Sequence, residues 1–213
     1  MSPKVMLIGP PRPRQGRSSN LASAMLLAII ALVSWACGSA ESASFDPTGP
    51  CLTDGRAARA YLDLEDVVPK AIAGRPPASL DSGRNCTALN LGTLAGHGVA
   101  EVRFAGGVWV DAAQSGITLA VFRAPGLQAA WMGEWYESSA RAARRTGSIA
   151  VSQPVVNGRA GNRLDLQNGD SVQTVITWPA APGSPSALGN VVNVVIAADE
   201  PESRIQEAIA AFP

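Results

Sequence analysis

Alternation of apolar and polar residues marks a strand in the middle of the chain. Ala100, Val102 and Phe104 alternate with Glu101 and Arg103, which is the period-2 pattern of a half-buried strand. The apolar runs "VWV" and "ITLAVFRA" follow, and a turn at Gln-Ser-Gly separates them. This stretch therefore predicts successive strands of an antiparallel sheet.

The carboxyl-terminal half reads mostly as strands joined by hairpins. Asn157-Gly158 and Asn168-Gly169 lie between alternating runs, and both residues of such a pair tolerate the positive φ of a tight hairpin turn. The runs are "SIAVSQPVV", "RLDL", "SVQTVITW" and, after a Pro/Gly/Ser loop, "NVVNVVIAA". Asp199 and Glu202 have the spacing of a capping box, which predicts a last helix ending near Phe212.

Two further helices are predicted upstream. Asp54 is placed to cap a helix through "GRAARAYLDLEDVV", which Pro69 would end. A second helix is expected over 127–145, where Trp131 and Trp135 recur at helical spacing. We take that stripe as core rather than as a ligand site, with Tyr136 nearer the solvent edge.

These elements predict an α+β fold with an antiparallel sheet of five to seven strands. The helices at 127–145 and 200–212 should share one core. From "ITLAVFRAPG" to the last helix, the order of elements resembles the PsbP/Mog1-like arrangement, over roughly residues 99–213. That resemblance implies a non-catalytic binding or assembly role.

The amino-terminal segment has the layout of an export signal. Residues 1–20 carry four basic residues and no acidic one, and the sixteen residues from Leu21 to Ala36 are uncharged. Sixteen residues fall short of the roughly 20 needed to span a bilayer untilted. We therefore expect residues 1–36 to be a signal peptide, and a retained short anchor is the alternative.

The end of the apolar run resembles the lipobox of bacterial lipoprotein precursors. Ala36, Cys37 and Gly38-Ser39 match its last positions, whereas Ser34 replaces the usual leucine. The resemblance implies that Cys37 is acylated, for example with palmitate, and holds the protein at the outer face of the bacterial cytoplasmic membrane. Ordinary cleavage remains open, because "SWA" and "GSA" both fit the small-x-small pattern. In the lipoprotein interpretation, residues 37–50 are a flexible tether and residues 51–213 a single α+β domain.

The cysteine count supports a disulfide. The chain has three cysteines, Cys37, Cys51 and Cys86, and acylation of Cys37 would leave a pair. An oxidising exterior permits a bridge between Cys51 and Cys86, which would tie the amino-terminal segment to the domain. Two free buried thiols are the alternative.

Charge argues against a nucleic-acid partner. The whole chain has 17 basic and 17 acidic residues. Because four of the basic ones lie in residues 1–20, the part after Ala36 keeps 13 basic and 17 acidic residues. Such a chain lacks the basic patch that phosphate backbones need, so we expect the membrane and an unidentified protein or small molecule as partners.

Candidate catalytic chemistry is sparse. His97 is the only histidine, too few for a multi-histidine zinc site, and we expect neither a metal nor another cofactor. Ser171 lies in "GDS", which resembles the start of the GDSL-hydrolase motif, but the serine and the histidine occur in the reverse order. The sequence favours a lipid-anchored binding module over its alternative, a small secreted hydrolase that uses His97 with Ser171 or another serine.

Overall fold

A computed structural model describes residues 45–112, 115–144, 146–181 and 190–213. Cys37 and the predicted export signal lie outside these residues. The strands are β1 Gly55–Ala57, β2 Ser79–Asn85, β3 Val102–Ala112, β4 Ser115–Arg123, β5 Ser148–Ser152, β6 Val155–Val156, β7 Arg159–Ala160, β8 Asn162–Asn168, β9 Ser171–Pro179 and β10 Val191–Ala198. The helices are α1 Leu62–Glu65, α2 Ala88–Leu91, α3 Thr93–Gly96, α4 Ala129–Ala142 and α5 Glu202–Ala210.

Eight strands form one antiparallel sheet in the order β1-β2-β3-β4-β10-β9-β8-β5. The α+β class is confirmed, and the sheet exceeds the five to seven strands expected. The predicted number was too low because β1 lies in a segment predicted to be helical and β2 lies in a segment where no strand was predicted. Neither strand has apolar alternation; β2 buries Ser82, Gly83, Arg84 and Asn85 instead.

Each face of the sheet carries its own core. Along β10, Val191, Val195 and Ala197 pack on one side, and Val192 and Val194 on the other. The first side holds α1 and α5, and the second holds α2, α3 and α4. The expectation that the helices at 127–145 and 200–212 share one core was wrong, because a sheet that is apolar on both sides needs a cover on each.

Helix α4 buries a different stripe from the predicted one. Met132 has no exposed surface, and Ala129, Gly133 and Ala140 are buried with it. Trp131 and Trp135 are only partly buried, at the edge of the same core. The stripe was misplaced because a small glycine, not a large aromatic, faces the sheet: a Cβ on Gly133 would lie 3.1 Å from Cβ of Asn162 on β8.

Two predicted caps have other roles. The helix expected over 55–68 is reduced to β1 and the four-residue α1, and Asp54 hydrogen-bonds to the chain at 86–90 instead. Asp199 accepts a 2.7 Å bond from the N–H of Val172, and no side chain caps α5. In both places the aspartate accepts a hydrogen bond from the backbone of a distant segment, and not from the first turn of the helix that it was predicted to cap.

A hairpin turn is present at each predicted place, although the second lies one residue later than predicted, at Gly169-Asp170, because Asn168 ends β8. Asn157 and Gly158 have φ of 48° and 74° between β6 and β7, and Gly169 has a φ of 65° between β8 and β9. Positive φ at these positions follows from residue type alone.

Candidate functional site

The disulfide expected from the cysteine count is present. Cys51 and Cys86 are joined, with their Cα atoms 6.0 Å apart. The bridge fixes the chain before β1 to the chain after β2. Cys37, the predicted lipidation site, lies outside the described residues.

Asp54 reinforces that junction. Its carboxylate accepts hydrogen bonds from the backbone N–H groups of Cys86 at 2.6 Å and Thr87 at 2.9 Å, from the Thr87 hydroxyl, and from Nδ2 of Asn90 at 2.7 Å. Desolvation alone would raise the pKa of Asp54, but these donors together hold it below its ordinary value. The contacts are structural and leave no acceptor site open for a ligand.

Residues 45–50, the described part of the predicted tether, lie against the domain. The buried guanidinium of Arg84 donates to the carbonyl oxygens of Asp46, Gly49 and Pro50 at 2.8–3.0 Å, and its Cζ lies 5.7 Å from the ring centroid of Phe45. Arg84 is therefore committed to holding this segment.

His97 and Ser171 contact different residues. Nε2 of His97 lies 2.7 Å from Oε2 of Glu134, and its ring stacks on Trp131 with centroids 4.5 Å apart. Ser171 begins β9, in register with Asn168. None of the hydrogen bonds among the described residues joins the imidazole to a serine.

A cleft of about 790 Å³ opens at the end of the sheet where β3 begins and β4 ends. Its volume falls within the roughly 300–1,000 Å³ range of small-molecule sites. The walls combine four charged residues with five small or apolar ones: Asp63, Gly98, Val99, Ala100, Glu101, Arg103, Arg123, Ala124 and Pro125.

The register of the strands places the two cleft arginines side by side. Arg103 on β3 pairs directly with Arg123 on β4, and Arg103 also pairs with Arg84 on β2. Directly paired residues share a face, so three arginines form a row across the sheet. Like charges in such a row are destabilising unless counter-charges lie nearby.

Glu101 balances Arg103. Nε of Arg103 donates to Oε1 of Glu101 at 2.7 Å, and its Cζ lies 4.9 Å from the ring centroid of Tyr61. The hydrogen bond to Glu101 is the main reason that the pKa of Arg103 is raised. Burial raises the pKa of Tyr61, although the nearby Arg103 opposes that shift.

Asp63 balances Arg123 from the other side of the cleft. Nη1 of Arg123 donates to Oδ2 of Asp63 at 2.6 Å, which links β4 to α1. The Arg123 side chain is 12% exposed, whereas that of Asp63 is 41% exposed. The arginine is therefore fixed in the wall, with its acid at the rim.

Each guanidinium keeps unused donors. Arg103 donates through Nε and Arg123 through Nη1, and neither forms another hydrogen bond within the parts of the chain that the structure describes. Guanidinium groups match carboxylates and phosphates in planar, bidentate pairs. The arrangement suits binding of an anionic group.

The sequence pattern does not point to this site, because Arg103 is a polar position of one alternating strand and Arg123 ends the next strand. The available signal was an arginine near the start of β3 and another at the end of β4. Only the strand register shows that the two positions are neighbours.

The described residues form no group of three or more His, Cys, Asp or Glu side chains suited to a metal ion. None of the helices in those ranges is long and apolar enough to span a bilayer.

Comparison with known proteins found no match: no family model, no curated protein and no solved structure is significantly similar to this chain.

Proposed function

We propose that this protein is a lipid-anchored, extracytoplasmic binding module without catalytic activity, and that its ligand binds in the cleft beside Arg103 and Arg123. The observation that carries the proposal is the cleft itself, a concave site with two fixed cations whose donors are only partly used. Its walls hold no serine, cysteine or histidine, and its two carboxylates are each engaged by an arginine.

The anchor is proposed at Cys37, from its lipobox-like context. Such a protein would stand at the outer face of the cytoplasmic membrane and bind an unidentified small molecule or protein, not nucleic acid. The sequence of elements from β4 through α4, the β5–β10 strands and α5 supports the further proposal of a PsbP/Mog1-like arrangement.

Metabolic labelling tests the anchor. The wild-type protein should incorporate palmitate and partition with membranes, whereas Cys37→Ala should do neither. Equal labelling of both proteins would contradict acylation at Cys37.

Native mass spectrometry of protein purified from its own membranes tests the binding role. Ala100 is exposed in the cleft wall, so Ala100→Trp fills the cleft without altering a charge. The wild type should carry a small molecule that this variant lacks. The same mass for both, apart from the substitution, would count against a ligand in the cleft.

A small hydrolase is the second candidate, and the contact of His97 with Glu134 favours it, because a base oriented by an acid is part of a hydrolytic triad. Turnover of p-nitrophenyl esters by wild type, His97→Gln and Ser171→Ala separates the two candidates. A binding module should give the same low rate in all three. Loss of a measurable rate in either variant would favour the hydrolase.

A further inference from the structure

We propose that the ligand of the cleft is a small organic acid whose carboxylate or phosphate group binds between Arg103 and Arg123 while its apolar part lies on the neutral wall. This rests on the proposed function, and it adds the chemical class of the ligand. The inference depends on the strand register, the unused guanidinium donors and the division of the cleft wall into charged and apolar parts.

The strand register supplies the geometry. Arg103 and Arg123 are directly opposite on neighbouring antiparallel strands, where Cβ atoms lie about 4.5–5.5 Å apart. Two guanidinium groups rooted that close can both reach a single anionic group. A row of like charges gains most from an anion placed between them.

The unused guanidinium donors are available to bind an acceptor. A guanidinium has five N–H groups, and each of these arginines uses one atom, Nε of Arg103 and Nη1 of Arg123. No nitrogen of either arginine is both buried and without a hydrogen-bond partner, so the unused donors are open to water. An anionic ligand would replace that water with charge-assisted acceptors.

The acids favour an anion over a cation. Glu101 and Asp63 already accept from the two arginines at 2.7 and 2.6 Å. A cationic ligand would have to compete with a fixed guanidinium for each carboxylate, and it would meet both positive charges. An anionic group meets donors that nothing else occupies.

The remaining wall fits an apolar body. Val99 and Ala124 line the cleft but are only 6% and 3% exposed, so the accessible neutral wall is formed mainly by the exposed residues Gly98, Ala100 and Pro125. These side chains offer no polar group, so the part of the ligand beyond its anionic head should be hydrocarbon or aromatic.

Probe titrations of the full-length protein in mild detergent, followed by NMR, test the ligand class. Benzoate and benzyl phosphate carry the two anionic groups on one body, benzamide and benzylammonium are the neutral and cationic matches, and inorganic phosphate has no body. At least one of the two organic anions should bind, about tenfold more tightly than benzamide or benzylammonium. Inorganic phosphate binding as tightly as the organic anions would overturn the apolar part of the proposal.

Charge variants test the two arginines. Arg123→Gln should weaken binding of the organic anion about tenfold, and Asp63→Asn should strengthen it, because a competing negative charge is removed. Asp170→Asn, an exposed position on the β8–β9 turn, is the matched control and should change nothing. The proposal would be overturned if both Arg123→Gln and Asp63→Asn weakened binding, or if neither variant changed it.

The Ala100→Trp variant distinguishes failure of the anionic ligand class from failure of the cleft as a binding site. If benzamide or benzylammonium binds best and Ala100→Trp abolishes that binding, the cleft is a binding site and only the anionic class is wrong. If Ala100→Trp binds every probe as the wild type does, the cleft is not the site, and the proposed function fails with it.

Discussion

The carboxylate of Asp54 accepts a 2.6 Å hydrogen bond from the backbone N–H of Cys86. The disulfide partner of Cys86, Cys51, lies three residues before Asp54. A covalent bond and a charged hydrogen bond thus join the same two segments, so each should stabilise the fold measurably.

Asp54→Ala should lower the free energy of unfolding at pH 7 by about 1–2 kcal/mol, as removal of a side-chain cap does. The pKa of Asp54 in the folded protein lies below its ordinary 3.8. Its contribution is therefore present above pH 3.8 and is lost as pH falls through the lower folded value. Denaturant melts between pH 7 and pH 2 should show the wild type and the variant converging at the acid end.

Asp170→Ala provides the control for that series. Asp170 is exposed on the β8–β9 turn, so this variant should follow the wild type at every pH. A difference between wild type and Asp54→Ala that stays constant down to pH 2 would contradict the assigned role of the carboxylate.

Removal of the disulfide should destabilise the domain further. The bridge joins residues 35 apart in sequence, and the chain-entropy model gives about 3–4 kcal/mol for such a loop. The Cys51→Ser/Cys86→Ser double variant should unfold at correspondingly lower denaturant concentration. In denatured, unreduced wild type, a thiol reagent should leave Cys51 and Cys86 unlabelled; labelling of both would contradict the bridge.

The packing of α4 reverses the order of side-chain importance expected from the sequence. Met132 is fully buried, so Met132→Ala should lower the free energy of unfolding by about 2–5 kcal/mol. Trp131 is partly buried and stacks on the exposed His97, so Trp131→Ala should cost less than half as much. Urea melts of both, with Ser138→Ala as an exposed control on the same helix, give the ranking. A larger loss in Trp131→Ala would place the tryptophan in the core.

The two tyrosines should ionise at a higher pH in the folded protein than in the unfolded protein. Burial raises the pKa of both Tyr61 and Tyr136, and these are the only tyrosines in the chain. Absorbance at pH 10.0, the ordinary pKa, should show less tyrosinate in the folded protein than after denaturation, when each of the two tyrosines is half ionised. A raised folded pKa stabilises the protein below the unfolded value, and that contribution is lost as pH rises through the folded value.

Tyr136→Phe separates the two groups. The variant should lack the high-pH ionisation of Tyr136 and keep that of Tyr61. A tyrosine that titrates near pH 10 while the protein remains folded would contradict burial of that ring.

The sequence alone determined the features that depend on residue type and on neighbours along the chain. Residue counts and the disulfide-permissive context indicated the bridge between Cys51 and Cys86. Asparagine and glycine, which tolerate positive φ, indicated the turn at 157–158, and Gly169 indicated the second turn, which lies at 169–170. Period-2 alternation and long apolar runs identified most of the strands, and with them the α+β class.

Tertiary structure decided which distant residues meet. Strands β1 and β2 lack apolar alternation, so only the pairing of β2 with β3 and of β1 with β2 makes them strands. The buried stripe of α4 depends on the close approach of Gly133 to Asn162, which periodicity along one helix cannot reveal. Arg103 and Arg123 are twenty residues apart in sequence and become neighbours through the antiparallel register of β3 and β4. Because register is set by the packing of both faces of the whole sheet, the cleft appears only when the chain is folded.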